Sequence, residues 1–134
     1  MAKDLFEAAL AAMRLSHSPY SKFPVGAAIR GDDGKIYSGC NIENVSFPHG
    51  WCAEATAVGQ MIMGGARHIT EVAVIAEKLP LCAPCGGCRQ KLAEFAGPEV
   101  RVWLCDASGP QQVITIEALL PACFTTETAA SFGS

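Results

Sequence analysis

The chain has 134 residues, half of them hydrophobic and 17% charged, with 10 basic against 13 acidic side chains and a formal net charge of −3. A chain of this length forms one domain and buries roughly two-thirds of its unfolded surface, enough for a core without disulfide staples. No two Lys or Arg are adjacent, so the basic stripe of a nucleic-acid polymer binder is missing. No apolar stretch approaches the roughly 20 residues that cross a bilayer. Glu7 and Arg14 interrupt any signal-peptide layout at the start. The expectation is a soluble, cytoplasmic protein with no nucleic-acid polymer and no membrane as partner.

In chain order, the first segment reads as a helix over 3–16, where Leu5, Phe6, Ala9, Leu10 and Met13 draw one apolar stripe. Asp4 and Glu7 resemble a capping pair at its start. Residues 23–30 suit a strand, which Pro24 and Gly26 confine to a position tolerant of irregularity. Gly31-Asp32-Asp33-Gly34 predicts a turn, and 35–40 completes a hairpin. After a loop over 41–50, an Ala-rich helix is expected over 51–63, ended by Gly64-Gly65.

The apolar run Val72-Ala73-Val74-Ile75-Ala76 within 71–77 fits a strand covered on both faces. Pro84 opens a helix over 85–95, and Gly97-Pro98 stops it. A further strand is expected over 100–105, then a turn at Ser108-Gly109-Pro110. Thr115 caps a short helix that ends before Pro121. The polar tail 125–134 is expected to fray. Helices alternating with buried strands predict one α/β domain with helices on the faces of a sheet.

Seven cysteines, an odd number without an export signal, argue for metal binding or catalysis rather than a disulfide framework. Two segments stand out: Cys52-Ala53-Glu54 and Pro84-Cys85-Gly86-Gly87-Cys88, each at an expected helix start. Cys85 and Cys88 are three apart, so both thiols face one way on a helical turn. A cation between them relieves thiolate repulsion, and Zn²⁺ bonds sulfur at about 2.3 Å. If Cys52 approaches from the other helix start, zinc has three protein ligands and an open position, the arrangement of a catalytic site. Glu54, two residues from Cys52, is then directed away from that ligand's side. From there it can take a proton from water without binding metal.

Other readings stand beside this one. Cys82 could be a fourth ligand that closes a structural zinc site, although Pro84 should separate it from the helical pair. An iron–sulfur cluster would want a cysteine where Leu92 stands. Core cysteines without metal are the third alternative.

The joint pattern of Cys52-Ala53-Glu54 and Pro84-Cys85-x-x-Cys88 resembles the all-cysteine form of the zinc-dependent nucleobase and nucleoside deaminases. More narrowly it is similar to the small homotetrameric cytidine deaminases. The similarity runs from Ser18-Pro19-Tyr20-Ser21-Lys22-Phe23-Pro24-Val25-Gly26-Ala27-Ala28 through Gly39-Cys40-Asn41-Ile42-Glu43-Asn44 to Cys88-Arg89-Gln90 and Leu119-Leu120-Pro121-Ala122-Cys123-Phe124.

The resemblance implies a three-layer α/β/α fold with a mixed five-stranded sheet, and a single catalytic domain over 1–124 with the tail outside it. It implies one Zn²⁺ per subunit on Cys52, Cys85 and Cys88, with Glu54 shuttling protons. Asn41 and Glu43 would hold the ribose hydroxyls, and Phe23 would lie against the base. Ala53 would offer it a backbone N–H, and Phe124 would reach a neighbouring subunit's pyrimidine. The implied reaction is hydrolytic deamination of free cytidine and 2′-deoxycytidine to uridine and 2′-deoxyuridine, releasing ammonia in pyrimidine salvage. Deamination of a nucleoside antibiotic such as blasticidin S, and a non-enzymatic zinc module, are the alternatives. A polynucleotide editor is disfavoured by the acidic balance and the short chain.

Two departures from the family's pattern concern charge and hydroxyls. Ala55 stands where many tetrameric members carry an arginine that offsets the third thiolate, and the helix N-termini or Arg89 are the candidates to replace it. Phe47 stands where members often have tyrosine. His49 and Trp51 beside the first ligand are also unusual, and Trp51 is expected to pack.

Overall fold

The computed structural model describes residues 2–124; the tail whose fraying the sequence suggests lies outside them. A five-stranded mixed sheet has the order β2-β1-β3-β4-β5. Its strands are β1 (Val25–Gly31), β2 (Ile36–Cys40), β3 (Ile69–Ala76), β4 (Ala96–Asp106) and β5 (Gly109–Thr115). β3 and β4 are parallel, and every other neighbouring pair is antiparallel. The parallel pair requires a crossover, which α3 (Gly86–Phe95) supplies.

The alternation of side chains along the strands divides the core in two. Ala27, Ile29, Val72, Val74, Val102 and Leu104 face Ala57 and Met61 of α2 (Ala53–Met63), Leu92 of α3, and Ile116 and Leu119 of α4 (Ile116–Leu119). Ala28, Ala73, Ile75 and Cys105 point the other way, onto Leu5, Ala9 and Met13 of α1 (Lys3–Met13). Val72 to Ala76 are thus covered on both faces, as the unbroken apolar run predicts. The result is three layers, with α1 on one side and α2, α3 and α4 on the other.

Several local expectations need correction. The turn at Ser108-Gly109-Pro110 leads into a fifth strand that the residues themselves do not announce. Pro110, Gln111 and Gln112 read as loop, yet β5 pairs with β4 from Gly109 to Thr115 as an edge strand, where a proline and polar residues are tolerated. β1 is paired on both sides, and its irregularity lies not at Pro24 or Gly26 but at Arg30/Gly31, where its register with β3 shifts. Pro24 lies just before β1, and Gly26 is needed for packing: a Cβ there would stand 2.0 Å from the Ala9 carbonyl oxygen of α1. Asp4 does not cap α1. The N-cap position is Ala2, and the Asp4 carboxylate instead meets Arg30 Nη2 at 2.7 Å. Thr115 does cap α4, its hydroxyl accepting from Ala118 N–H at 3.2 Å.

The segments that carry the cysteine motifs converge beside the C-terminal end of β3. α2 is seated on β2 through Gly39, where a Cβ would lie 2.5 Å from the Ala57 nitrogen and 2.6 Å from the Ala53 oxygen. This close approach fixes the first turn of α2, and with it Cys52 and Glu54.

Candidate metal centre and active site

Both helices of the site begin on a cysteine. Cys52 is the N-cap of α2 and Cys85 the N-cap of α3, and neither side chain caps its own helix. Cys88 lies in the first turn of α3 and is fully buried. The three Sγ atoms all lie within 4.8 Å of one another, with Cys52 and Cys85 4.0 Å apart. Tetrahedral zinc with bonds of about 2.3 Å places its sulfurs about 3.8 Å apart, so the donor set fits zinc with little adjustment. Three soft donors leave a fourth position for water. The free N–H groups of two helix starts add partial positive charge there.

A hydrogen bond from Cys88, aided by one from Cys85 and by the Lys91 charge, lowers Cys52 to about 6 against burial. Cys88 is pushed up as the partner that keeps its proton. The outlying Cys105 is packed between the sheet and α1, and burial pushes it up to about 11.

Glu54, 4% exposed, is the one buried charged side chain among the described residues. Burial raises its carboxyl above the usual range, opposed chiefly by a hydrogen bond from its own backbone; the Cys52 charge adds to the rise, and Cys88 and Lys91 oppose it more weakly. A carboxyl that holds a proton more readily than usual, beside a metal position, is suited to accept and return protons.

A cavity of about 180 Å³ opens onto these groups, lined by Glu54, Cys52, Cys85, Ala53, Asn41, Val25, Val74, Cys82 and Ala83. Ala53 is the first residue of α2, so its N–H is one of those without an intrahelical partner. Asn41 reaches the cavity while tying the chain around it. Its Oδ1 accepts from Val25 N–H at 2.9 Å and from the Ser16 hydroxyl, and its Nδ2 donates to the Phe23 carbonyl at 2.9 Å.

Glu43 stands in a second cavity of about 280 Å³ with Tyr20, Ser21, Asn44, Phe47 and Gly50. Its carboxylate accepts from the Tyr20 and Ser21 N–H groups at 2.9 and 3.1 Å and from the Ser21 hydroxyl. Phe47 is tilted against Tyr20 there, with ring centroids 5.7 Å apart.

Not every expected site residue joins the cavity. Phe23 is half-buried and contributes its carbonyl to Asn41, but its ring lines neither cavity. Phe124 is 55% exposed, and its carbonyl accepts from Gln90 Nε2 at 2.9 Å. Trp51 does not pack: it is 53% exposed. Cys82 lines the cavity yet stands outside the three-thiol cluster, which removes it as a fourth ligand in this arrangement. The sequence offered Cys82 only as a metal ligand and gave no sign of Val25, Val74 and Ala83. Val25 and Val74 reach the cavity because β1 begins and β3 ends beside it, which needs the sheet order, and Ala83 lies in the segment that leads to α3.

Three thiols on two helix starts, with a buried carboxylate in the first turn of α2 and an α/β/α frame behind them, define the zinc-dependent deaminase class. The sequence comparison agrees. Residues 1–104 match the model of the cytidine and deoxycytidylate deaminase zinc-binding region, and the chain belongs to that family. A cytidine deaminase of Sporosarcina psychrophila is 43% identical over 112 residues, covering 84% of this chain and 82% of the relative. One from Halalkalibacterium halodurans is 40% identical over 92% of this chain and 93% of the relative. The crystal structure of the Burkholderia pseudomallei cytidine deaminase superposes with a TM-score of 0.84 at 41% identity. That likeness covers 90% of this chain and 97% of the other. The expected three-layer fold with its five-stranded sheet is the observed one.

Proposed function

We propose that this chain is a cytidine deaminase that hydrolyses free cytidine and 2′-deoxycytidine to uridine and 2′-deoxyuridine with release of ammonia. The observation that carries the reading is Glu54, buried and charged beside the Cys52, Cys85 and Cys88 thiols. These three residues would hold one Zn²⁺ per subunit, and bound zinc lowers the pKa of a water ligand to about 7. Glu54 takes a proton from the attacking water and passes it to the ring nitrogen beside the amino-bearing carbon. It then protonates the departing amine, so one carboxyl serves both proton transfers. The Ala53 N–H at the start of α2 orients the base.

Asn41 and Glu43 provide the donors and acceptors that a ribose needs. Each carboxylate has about four lone-pair sites, so Glu43 can accept from a sugar hydroxyl in addition to the loop amides. A cavity of about 180 Å³ is smaller than the roughly 300–1,000 Å³ usual for a small-molecule site, which suits a site that is closed by a neighbour. Exposed Phe124 and Trp51 support a homotetramer in which Phe124 covers another subunit's pyrimidine. Pyrimidine salvage in the cytoplasm is the corresponding role. No helix among the described residues is long and apolar enough to cross a membrane.

The test is product analysis by chromatography with cytidine, 2′-deoxycytidine and blasticidin S in parallel. Uridine and 2′-deoxyuridine are the expected products. Turnover of blasticidin S alone would move the activity to antibiotic inactivation.

A further inference from the structure

Three thiolates on Zn²⁺ leave one net negative charge, and an ionised Glu54 beside them adds a second. The residue after Glu54 is Ala55, a buried methyl group, and α2 carries no Lys or Arg anywhere along its length. The offsetting cation must therefore come from another element. α3 holds two, Arg89 and Lys91.

Arg89 is committed elsewhere. Its Nε donates to the Pro84 carbonyl at 2.8 Å and its Nη1 to the Leu119 carbonyl at 2.8 Å. It pins the turn that leads into Cys85 against α4, and its guanidinium charge is directed at backbone oxygens.

We propose that Lys91 is the counter-charge of the zinc–thiolate centre, acting from α3 along the groove that it lines together with Ala55. The inference rests on Cys52, Cys85 and Cys88 being the zinc ligands. Long helical side chains lean toward the N-terminus of their helix, and Lys91 does so. Its Nζ lies 3.8 Å from the position a Cβ would take on Gly87, over the turn that carries Cys85 and Cys88. The same groove between α2 and α3 is lined by Ala55, Trp51, Gln90 and Lys91.

Glu94 also lines that groove, yet Lys91 makes no ion pair with it or with any other carboxylate among the described residues. Its charge is left to act on the site. Lys91 is exposed, so it acts as a positioning charge seen partly through water. Salt should weaken its effect.

The experiment measures zinc affinity of the full chain by competition with a chromophoric chelator, alongside kcat/KM for cytidine. The variants are Lys91→Met, Lys91→Arg and the double variant Ala55→Arg/Lys91→Met. Changes in the surroundings of metal ligands typically cost 10–100-fold in affinity. An exposed group belongs at the lower end, so Lys91→Met should weaken zinc binding by about 10-fold, less in high salt. Lys91→Arg should stay near the parent, and Ala55→Arg should recover most of the loss. Unchanged zinc affinity in Lys91→Met overturns the proposal. So does a Lys91→Arg variant as weak as Lys91→Met, since that would mark a packing role. Because zinc affinity is read without turnover, failure here is separable from failure of the deaminase reading.

Discussion

Cys52 and Cys85, 33 positions apart in sequence, bring their Sγ atoms to 4.0 Å of each other, each from the residue that starts a helix. Neither thiol caps its helix, so both are turned toward the shared metal position. Cys88 completes the set from one turn inside α3.

With zinc removed, the thiols should differ sharply in reactivity. Cys52, lowered to about 6, should be alkylated first by iodoacetamide at neutral pH, because the thiolate is the nucleophile. Buried Cys105, raised to about 11, should be last. Zinc should protect Cys52 and leave Cys105 unaffected. Timed labelling read by peptide mass spectrometry checks this, and equal Cys52 labelling with and without zinc contradicts the ligand set.

Two glycines, Gly39 of β2 and Gly59 of α2, should respond with opposite sign. Gly39→Ala forces a methyl to 2.5 Å from the Ala57 nitrogen, an atom fixed in α2. Overpacking of this kind costs about 1–3 kcal/mol, and displacement of α2 should weaken zinc binding as well. Gly59→Ala in the same helix meets nothing within 4 Å and should stabilise by about 0.5–1 kcal/mol, the gain of alanine over glycine within a helix. Thermal unfolding of both variants decides the matter.

Asn41 should prove to be both a fold residue and a site residue. Asn41→Ala strands the Val25 N–H and the Phe23 carbonyl, and each unsatisfied buried group costs about 1–3 kcal/mol. The variant should therefore unfold earlier and also lose kcat/KM. A loss of activity at unchanged stability would show that the bonds to Val25 and Phe23 matter little.

The Asp4–Arg30 pair gives a small, pH-dependent term. The Arg30 guanidinium holds the Asp4 carboxyl below its usual range against slight burial, helped by the Leu5 N–H. A carboxylate depressed in the folded state stabilises above its unfolded pKa of about 3.9, and that stability is lost as pH falls through the folded value. Because Asp4 is exposed, Asp4→Asn should cost less than about 1 kcal/mol at neutral pH. The difference from the parent should shrink below about pH 4. Denaturant titrations at several pH values test it.

The parts of the site that were legible in the sequence are local ones. Cys85 and Cys88 share a helical turn, Cys52 and Glu54 differ by two positions, and Val72 to Ala76 form a run that suits a strand covered on both faces. Each follows from spacing alone. What remained hidden depends on contacts between distant segments. β5 hides behind Pro110 and two glutamines because an edge strand needs no apolar pattern. Gly26 looked like an irregularity until α1 was seen to pack against it at backbone distance. The expected packing of Trp51 failed for the same reason, since nothing in its own neighbourhood tells whether another element covers it. Lys91 carried no motif at all; its place over the turn of Cys85 and Cys88, in the groove between α2 and α3, emerges only from the structure.

The most direct test of the central claim is ammonia release from cytidine by the zinc-loaded protein and by its Glu54→Gln variant, with bound zinc measured in both. The parent should release ammonia stoichiometrically with uridine. The variant should keep its zinc and lose far more than the roughly 10²–10⁴-fold usual for a single acid or base, because one carboxyl carries every proton. Substantial turnover by a zinc-loaded Glu54→Gln protein would contradict the account.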